Sequence, residues 1–128
     1  MINQKFYGAA TIYHEAANQP VFGQVCVAHV ILNRCLIRNM SVKEVVYEPA
    51  QFSCYNKNKN PPIDDYKSMV RAEKAFQRAI DERLYGYNYF DADHYHADYM
   101  DPFPEWSEHP EMIRVSHVFS HIFYRWEG

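Results

Sequence analysis

The chain has 128 residues, 48% of them hydrophobic and 16% aromatic, with a formal net charge of -3. That is enough chain for one domain with a real core. The acidic balance excludes a nucleic-acid binder that relies on broad phosphate neutralisation.

Residues 4–17 read as a first helix. At about 100° per residue, Phe6, Ala10, Tyr13 and Ala17 share one face, and Ile12 and Ala16 flank the other. A helix that is apolar nearly all round is a buried helix. Glu15 sits near its end, opposite the main apolar face and one turn past Thr11. Such an acid is a paired structural carboxylate, an acid at an exposed helix end, or a functional group. Burial and the negative end of the helix dipole both disfavour the charged form, which suits a general acid.

Pro20 can start a helix but not continue one, so a second helix is expected from 21 to 38. Val25, Ala28, Leu32 and Cys35 form its stripe, widened by Val27, Val30 and Ile31, and it reads as the central buried helix. His29 and Asn33 are one turn apart and placed to hydrogen-bond; His29 reads as a satisfied interior histidine. Arg34 either pairs with a core acid or snorkels outward.

Ser41-Val-Lys-Glu44 is a capping box that starts a short helix at Val42, and Pro49 ends it. Residues 50–55 read as a loop or short strand, with Gln51 and Ser53 facing one way while Phe52 enters the core. The polar stretch 56–62, with Lys57 and Lys59, reads as a solvated loop. A third long helix is expected from Asp64 to about Leu84, with Asp65 in its first turn and Gly86 at its end. Tyr66, Met69, Val70, Glu73, Phe76, Ile80 and Leu84 mark its predicted buried stripe.

From Tyr87 to Tyr99 the pattern alternates. His94, His96 and Asp98 fall on one side of a predicted strand or hairpin, and Asp93, Tyr95 and Ala97 on the other. Pro102 and Pro104 enforce a loop carrying Phe103 and Trp106. Residues 113–116 and 118–124 are β-branched and aromatic and complete a small antiparallel sheet. The fold class is therefore α+β and mainly helical: a single domain over 1–128, helical through 4–84, with a small sheet and loops in 87–126.

Cys26, Cys35 and Cys54 form no Cys-x-x-Cys pair. The first two lie about 13 Å apart along one helix, too far to bridge. Reduced thiols are expected, two of them in the core. The N-terminus lacks a basic segment followed by an apolar run, so no signal peptide is expected. No window is expected to approach the roughly 18 apolar residues of a membrane span without interruption.

Several blocks together resemble the SleB/CwlJ cell-wall hydrolase family. They are His14-Glu15-Ala16, the run from Gly23 to Arg34, Gln51-Phe52-Ser53, Tyr95-His96-Ala97, Pro104-Glu105-Trp106 and the closing stretch His121 to Arg125. The resemblance spans about residues 6 to 125. It implies a lysozyme-like, lytic-transglycosylase-like fold and an enzyme that cuts the glycan strands of peptidoglycan. It puts the family's catalytic glutamate on Glu15. It puts Gln51 and Ser53 beside that acid, the His94–His96 region, with Tyr95 and His96, in the cleft wall, and His121 among the substrate contacts. It implies no metal and no cofactor. Spore-cortex-lytic enzymes and phage lysis proteins share the pattern. With no signal peptide expected, a phage-type endolysin is expected: a bacteriolytic monomer made in the cytoplasm, not inserted in the membrane, and released onto the wall by a holin-like partner or carried on a particle. Two departures stand out. Asp93-His94 replaces a Gly-Ala of the family, and Val118-Phe119 replaces an Ile-Gly, so altered turns are expected.

Glycosidases usually pair two carboxylates across the bond. A lytic transglycosylase needs one acid, which then serves as base while the sugar's own C6 hydroxyl attacks. Glu15 suits that scheme, and Asp91, Asp93, Asp98, Asp101 and Glu105 are candidates for a second carboxylate in a hydrolytic muramidase or glucosaminidase. Trp106, Tyr55, Tyr95 and Tyr99 could stack on sugar faces. Two other classes remain open: a zinc amidase built on His94, His96, Asp98, His117 and His121, and a non-catalytic glycan-binding module.

Overall fold

The computed structural model describes residues 2–49, 51–86 and 90–128. Four helices come first: α1 (Ile2–Ala16), α2 (Val21–Arg38), α3 (Val42–Val46) and α4 (Tyr66–Leu84). A sheet follows, of β1 (His94–Ala97), β2 (Met112–Val118) and β3 (His121–Trp126). Its order is β1-β3-β2 and both pairings are antiparallel. Short 3-10 turns occupy Ser53–Tyr55 and Glu105–Glu108. Residues 87–89, the start of the expected strand or hairpin, and residue 50 lie outside the described residues.

The bounds of α2 match the sequence reading. Pro20 stands at its N-cap, and Asn39 ends it at φ 52°, donating its N–H to the Cys35 carbonyl. This helix is long and apolar enough to cross a membrane by length and composition, with its apolar run interrupted by Gln24, His29, Asn33 and Arg34. In this fold it is the central packed helix, mostly buried against its neighbours. Four polar side chains are buried along it, Gln24, His29, Asn33 and Arg34.

Each of the four does a specific job. Gln24 Nε2 donates to the carbonyls of Ala16 and Gln19, and weakly to Ala17, satisfying groups that the end of α1 leaves open. Arg71 of α4 reaches the Ala17 carbonyl from the other side, at 2.9 Å. Asn33 Nδ2 donates to the carbonyls of Phe90 and Ala92, each at 2.8 Å, and Arg34 Nε donates to the Asp93 carbonyl at 2.7 Å. The segment that leads into β1 is thus tied to α2 by three carbonyls. His29 and Asn33 do not bond each other. His29 Nε2 lies 2.7 Å from Glu82 of α4, and Arg83 lies between the two, donating to Asn33 Oδ1 at 2.8 Å.

α1 is buried almost all round from Gly8 to Tyr13, as its sequence implies, but Phe6 is half exposed. A Cβ at Gly8 would lie 2.4 Å from the Phe76 ring, so only glycine admits this contact with α4. Tyr13 fastens the other end: its hydroxyl donates to Asp64 Oδ1 at 2.8 Å and accepts from the N–H groups of Asp64 and Asp65.

The buried stripe of α4 differs from the predicted one. Tyr66, Glu73 and Leu84 are exposed, while Met69, Ala72, Ala75, Phe76 and Ala79 are buried. α4 packs on both α1 and α2, and close approach to two helices favours small residues at the contact. Asp65 is the N-cap, its side chain accepting from the Ser68 N–H, rather than a first-turn residue. Gly86 follows the helix at φ +71°, as a left-handed terminator. The capping box of α3 forms as read, with Ser41 and Glu44 each accepting the other's backbone N–H.

The hairpin joining β2 to β3 turns at Phe119-Ser120, within the 118–124 stretch assigned to the sheet from its composition. Phe119 takes φ 52°, the left-handed region that favours glycine. This is the position where the family resemblance expects one. Phe119→Gly is therefore expected to raise stability by up to about 1 kcal/mol, the relief of strain less the entropy a glycine adds to the unfolded chain. Asn33→Ala is expected to lower stability by about 2–4 kcal/mol, because it strips partners from two carbonyls and from Arg83. Urea denaturation midpoints check both.

Candidate active site

Glu15 lies on the last turn of α1, whose end is clamped by Gln24 and Arg71. Its carboxylate is half-buried and accepts three hydrogen bonds. Ser53 Oγ (3.3 Å) and the Cys54 N–H (3.2 Å) reach Oε2, and the Tyr95 hydroxyl (3.2 Å) reaches Oε1. Three parts of the chain far apart in sequence meet on this one group.

The 3-10 turn Ser53–Tyr55 brings the first two donors, where the sequence reading had a loop or strand. Phe52 is buried and anchors the turn, while Gln51 and Ser53 face outward, as their alternation implies. Tyr55 is a packing residue: its hydroxyl lies 2.7 Å from Thr11 Oγ1 on α1 and its ring packs edge-on against Tyr47. The third donor comes from β1, where Tyr95 points toward the helices.

A cleft of about 470 Å³ opens over Glu15. Of the residues singled out in the sequence, Glu15, Gln51, Ser53, Tyr95, His96, Trp106 and His121 line it, and Tyr55 does not. Tyr99, 80% exposed, stands at its rim. His96 is held by the Tyr124 hydroxyl at 2.8 Å and packs against Phe103 and Trp106. His121 lies edge-on to Tyr95, with ring centroids 4.9 Å apart.

Sequence reading left Arg34 undecided and did not place His14 or Asn56 at the site; all three line the cleft. Arg34 is buried and neither pairs with a hydrogen-bonded acid nor snorkels outward. The only hint of Arg34 in the sequence is a charge on the most apolar helix. Among the described residues, four buried side-chain polar atoms have no hydrogen-bond partner, and three of them belong to this cleft: His14 Nε2, Arg34 Nη1 and His121 Nδ1.

Electrostatics keep the neighbours of Glu15 protonated. Burial, then the nearby Glu15 carboxylate, hold the Tyr95 phenol well above its usual range, so it remains a donor. Burial and then Glu15 likewise push the Cys54 thiol up to about 12. Burial raises Cys26 to about 12 and Cys35 to about 11. All three cysteines are free thiols, with only Cys26 fully buried.

The other candidate carboxylates are engaged elsewhere. Asp91 pairs with Arg125, Asp98 with His117, and Asp93 accepts from His94 and the Trp126 N–H. Asp101 and Glu105 are exposed. Asp93-His94, the departure from the family's Gly-Ala, is thus a structural pair that closes the edge of the sheet. Among the described residues, no group of three or more His, Cys, Asp or Glu side chains is placed to hold a metal ion. The five residues of the zinc reading are split between these pairs and the aromatic packing.

The model of a family described as cell wall hydrolase matches residues 18–124. The chain belongs to the cell wall hydrolase family. Two solved structures are similar to it, each with a TM-score of 0.75 and 26% identity. One is the catalytic domain of the germination-specific lytic transglycosylase SleB from Bacillus anthracis, covering 96% of this chain and 94% of that one. The other is the catalytic domain of SleB from Bacillus cereus, covering 98% and 91%. No curated protein matches the chain. The mainly helical, lysozyme-like fold expected from the sequence is the fold of these relatives. The family match begins three residues after Glu15, so the role of that acid rests on its geometry.

The buried histidines make stability depend on pH. Burial lowers the pKa of His121 from its ordinary value, offset in part by Asp98 and reinforced by His96. Burial lowers His29 too, against the pull of Glu82. Above about pH 6.5 both are neutral in the folded and the unfolded chain. As pH falls below that value, the unfolded chain takes up protons that the folded one refuses, so stability is lost. The urea midpoint is expected to drop between pH 7.5 and 5.5, and His121→Gln should shrink the drop.

Proposed function

We propose that this enzyme cuts the MurNAc–GlcNAc bond of peptidoglycan as a lytic transglycosylase, with Glu15 as the acid and then the base. One observation carries the reading: among the described residues that line the cleft, Glu15 is the only Asp or Glu. Hydrolysis by either usual route needs a second carboxylate across the bond, and intramolecular attack does not.

Protonated Glu15 gives its proton to the glycosidic oxygen as the C1–O bond breaks, and the GlcNAc hydroxyl leaves. The Glu15 carboxylate then removes the proton from the C6 hydroxyl of the same MurNAc. O6 bonds to C1, closing a 1,6-anhydro ring, and Glu15 is protonated again. No water is consumed. Ser53, the Cys54 N–H and Tyr95 steady the carboxylate while it is charged. Gln51, His96 and His121 are the polar groups that meet sugar hydroxyls, and Trp106 offers a ring to a sugar face. Release onto the wall in the manner of a phage endolysin, as a monomer and through a holin-like partner, belongs to the same proposal.

The relative named as a lytic transglycosylase supports this choice of reaction. Mass spectrometry of digested peptidoglycan tests it. Glycan fragments ending in anhydro-MurNAc, one water lighter than hydrolysed ends, are expected; reducing ends would overturn the transglycosylase assignment. Glu15→Gln is expected to fold normally and to lose at least about a thousandfold in rate, since it removes the group that moves both protons. A variant that retained native lysis would sink the role given to Glu15.

A further inference from the structure

Arg34 is the least explained charge in the molecule. It is 4% exposed, yet its side chain lines the cleft that also holds Glu15. Nε is spent on the Asp93 carbonyl, and the guanidinium carbon lies 5.1 Å from the centre of the Phe52 ring. Nη1 has no partner. Burial lowers its pKa to about 10, with Tyr95 and Asp93 pulling the other way, so it is a cation at neutral pH. A buried cation without an ion-paired acid is costly to keep. Its structural duty, one bond to a carbonyl, uses one of five donors.

The surroundings specify what the remaining donors would accept. Phe52 covers one face of the guanidinium, and the hydrogen-bonding directions lie in its plane. Arg34 lines the same cleft as Tyr95 and Glu15, and Tyr95 donates to Glu15. A substrate group meeting Arg34 therefore sits in the cleft that holds the acid. Arginine has donors only, so it selects an acceptor. Sugar hydroxyls both donate and accept. The strongest neutral acceptor carried by each residue of an N-acetylated glycan is the carbonyl oxygen of its acetamido group. The cleft also offers apolar surface for the acetamido methyl, at Ala97 and Met100.

We propose that Arg34 is a specificity residue whose guanidinium binds the acetamido carbonyl of a sugar next to the scissile bond. The enzyme would then select N-acetylated strands and disfavour de-N-acetylated ones. This rests on the glycan-cleaving reading of the same cleft. Removing the acetyl group does more than delete the acceptor, because it leaves an ammonium facing a guanidinium.

The test compares rates on N-acetylated peptidoglycan and on the same material after de-N-acetylation, for the wild type, Arg34→Met and Arg34→Lys. The wild type is expected to lose about tenfold or more in kcat/KM on the de-N-acetylated strands. Arg34→Met should lose a similar factor on N-acetylated strands, mainly through KM, and show almost no preference between the two. Arg34→Lys keeps a cation that can reach the Asp93 carbonyl. It is expected to fold if the methionine variant does not, and to show a reduced preference. Equal losses on both substrates, with the preference intact, would make Arg34 a tether only. A wild type indifferent to acetylation overturns the proposal without any variant. A wild type that cuts neither strand, while leaving every glycosidic bond intact, brings down the glycan-cleaving reading itself and this inference with it.

Discussion

The chemistry of this molecule depends on where α1 stops. A helix end leaves carbonyls without partners, and here they are taken up from two sides, by Gln24 of α2 and by Arg71 of α4. That clamp fixes the last turn of α1 and with it the direction of Glu15. Gly8 at mid-helix and Tyr13 near the end hold the same helix against α4 and the segment before it. Glu15 is thus carried on a helix packed on several sides, which fixes where its carboxylate points. The groups around it come from a 3-10 turn and a short strand, each pinned by its own anchor.

The two halves of the site are joined by α2. Its Asn33-Arg34 pair holds three carbonyls of the segment leading into β1, and that segment delivers Tyr95 to Glu15. Polar side chains on the most apolar helix are therefore the means by which a small sheet is docked on a helical body. Asn33 and Arg34 each meet a backbone acceptor there, the usual condition for polar groups in a core. The cleft lies between the halves and takes lining from both.

Much of this was legible in the sequence. The bounds of α2, the capping box at Ser41 and Glu44, the alternation of Gln51, Phe52 and Ser53, and the isolation of Glu15 on an apolar helix all depend on local rules, and local rules are written in the chain. What the sequence concealed depends on packing. The face that α4 buries is lined by alanines, which carry little hydrophobic signal but permit close helix contact. The 3-10 turn at Ser53 has no distinctive composition, and its shape follows from Phe52 entering the core. Arg34 reads as an ordinary charge until the strand segment that it holds is placed. The strained turn at Phe119 was signalled only by a glycine missing relative to the family pattern.

The docking of the sheet through a few backbone carbonyls has a consequence for heat inactivation. Proteins open in parts before they open as a whole, and the parts held by fewest buried contacts open first. Here the donor from β1 and the acid on α1 lie on different elements, and the seam between them is joined by three hydrogen bonds from one helix turn and by Ala92, Val118 and Phe123 in the shared core. Parting that seam separates Tyr95 from Glu15 while leaving the helical body folded. The temperature at which catalysis fades is then set by a local opening, below the temperature at which the helices melt. On cooling, recovery needs only the re-docking of a short segment rather than refolding of the chain.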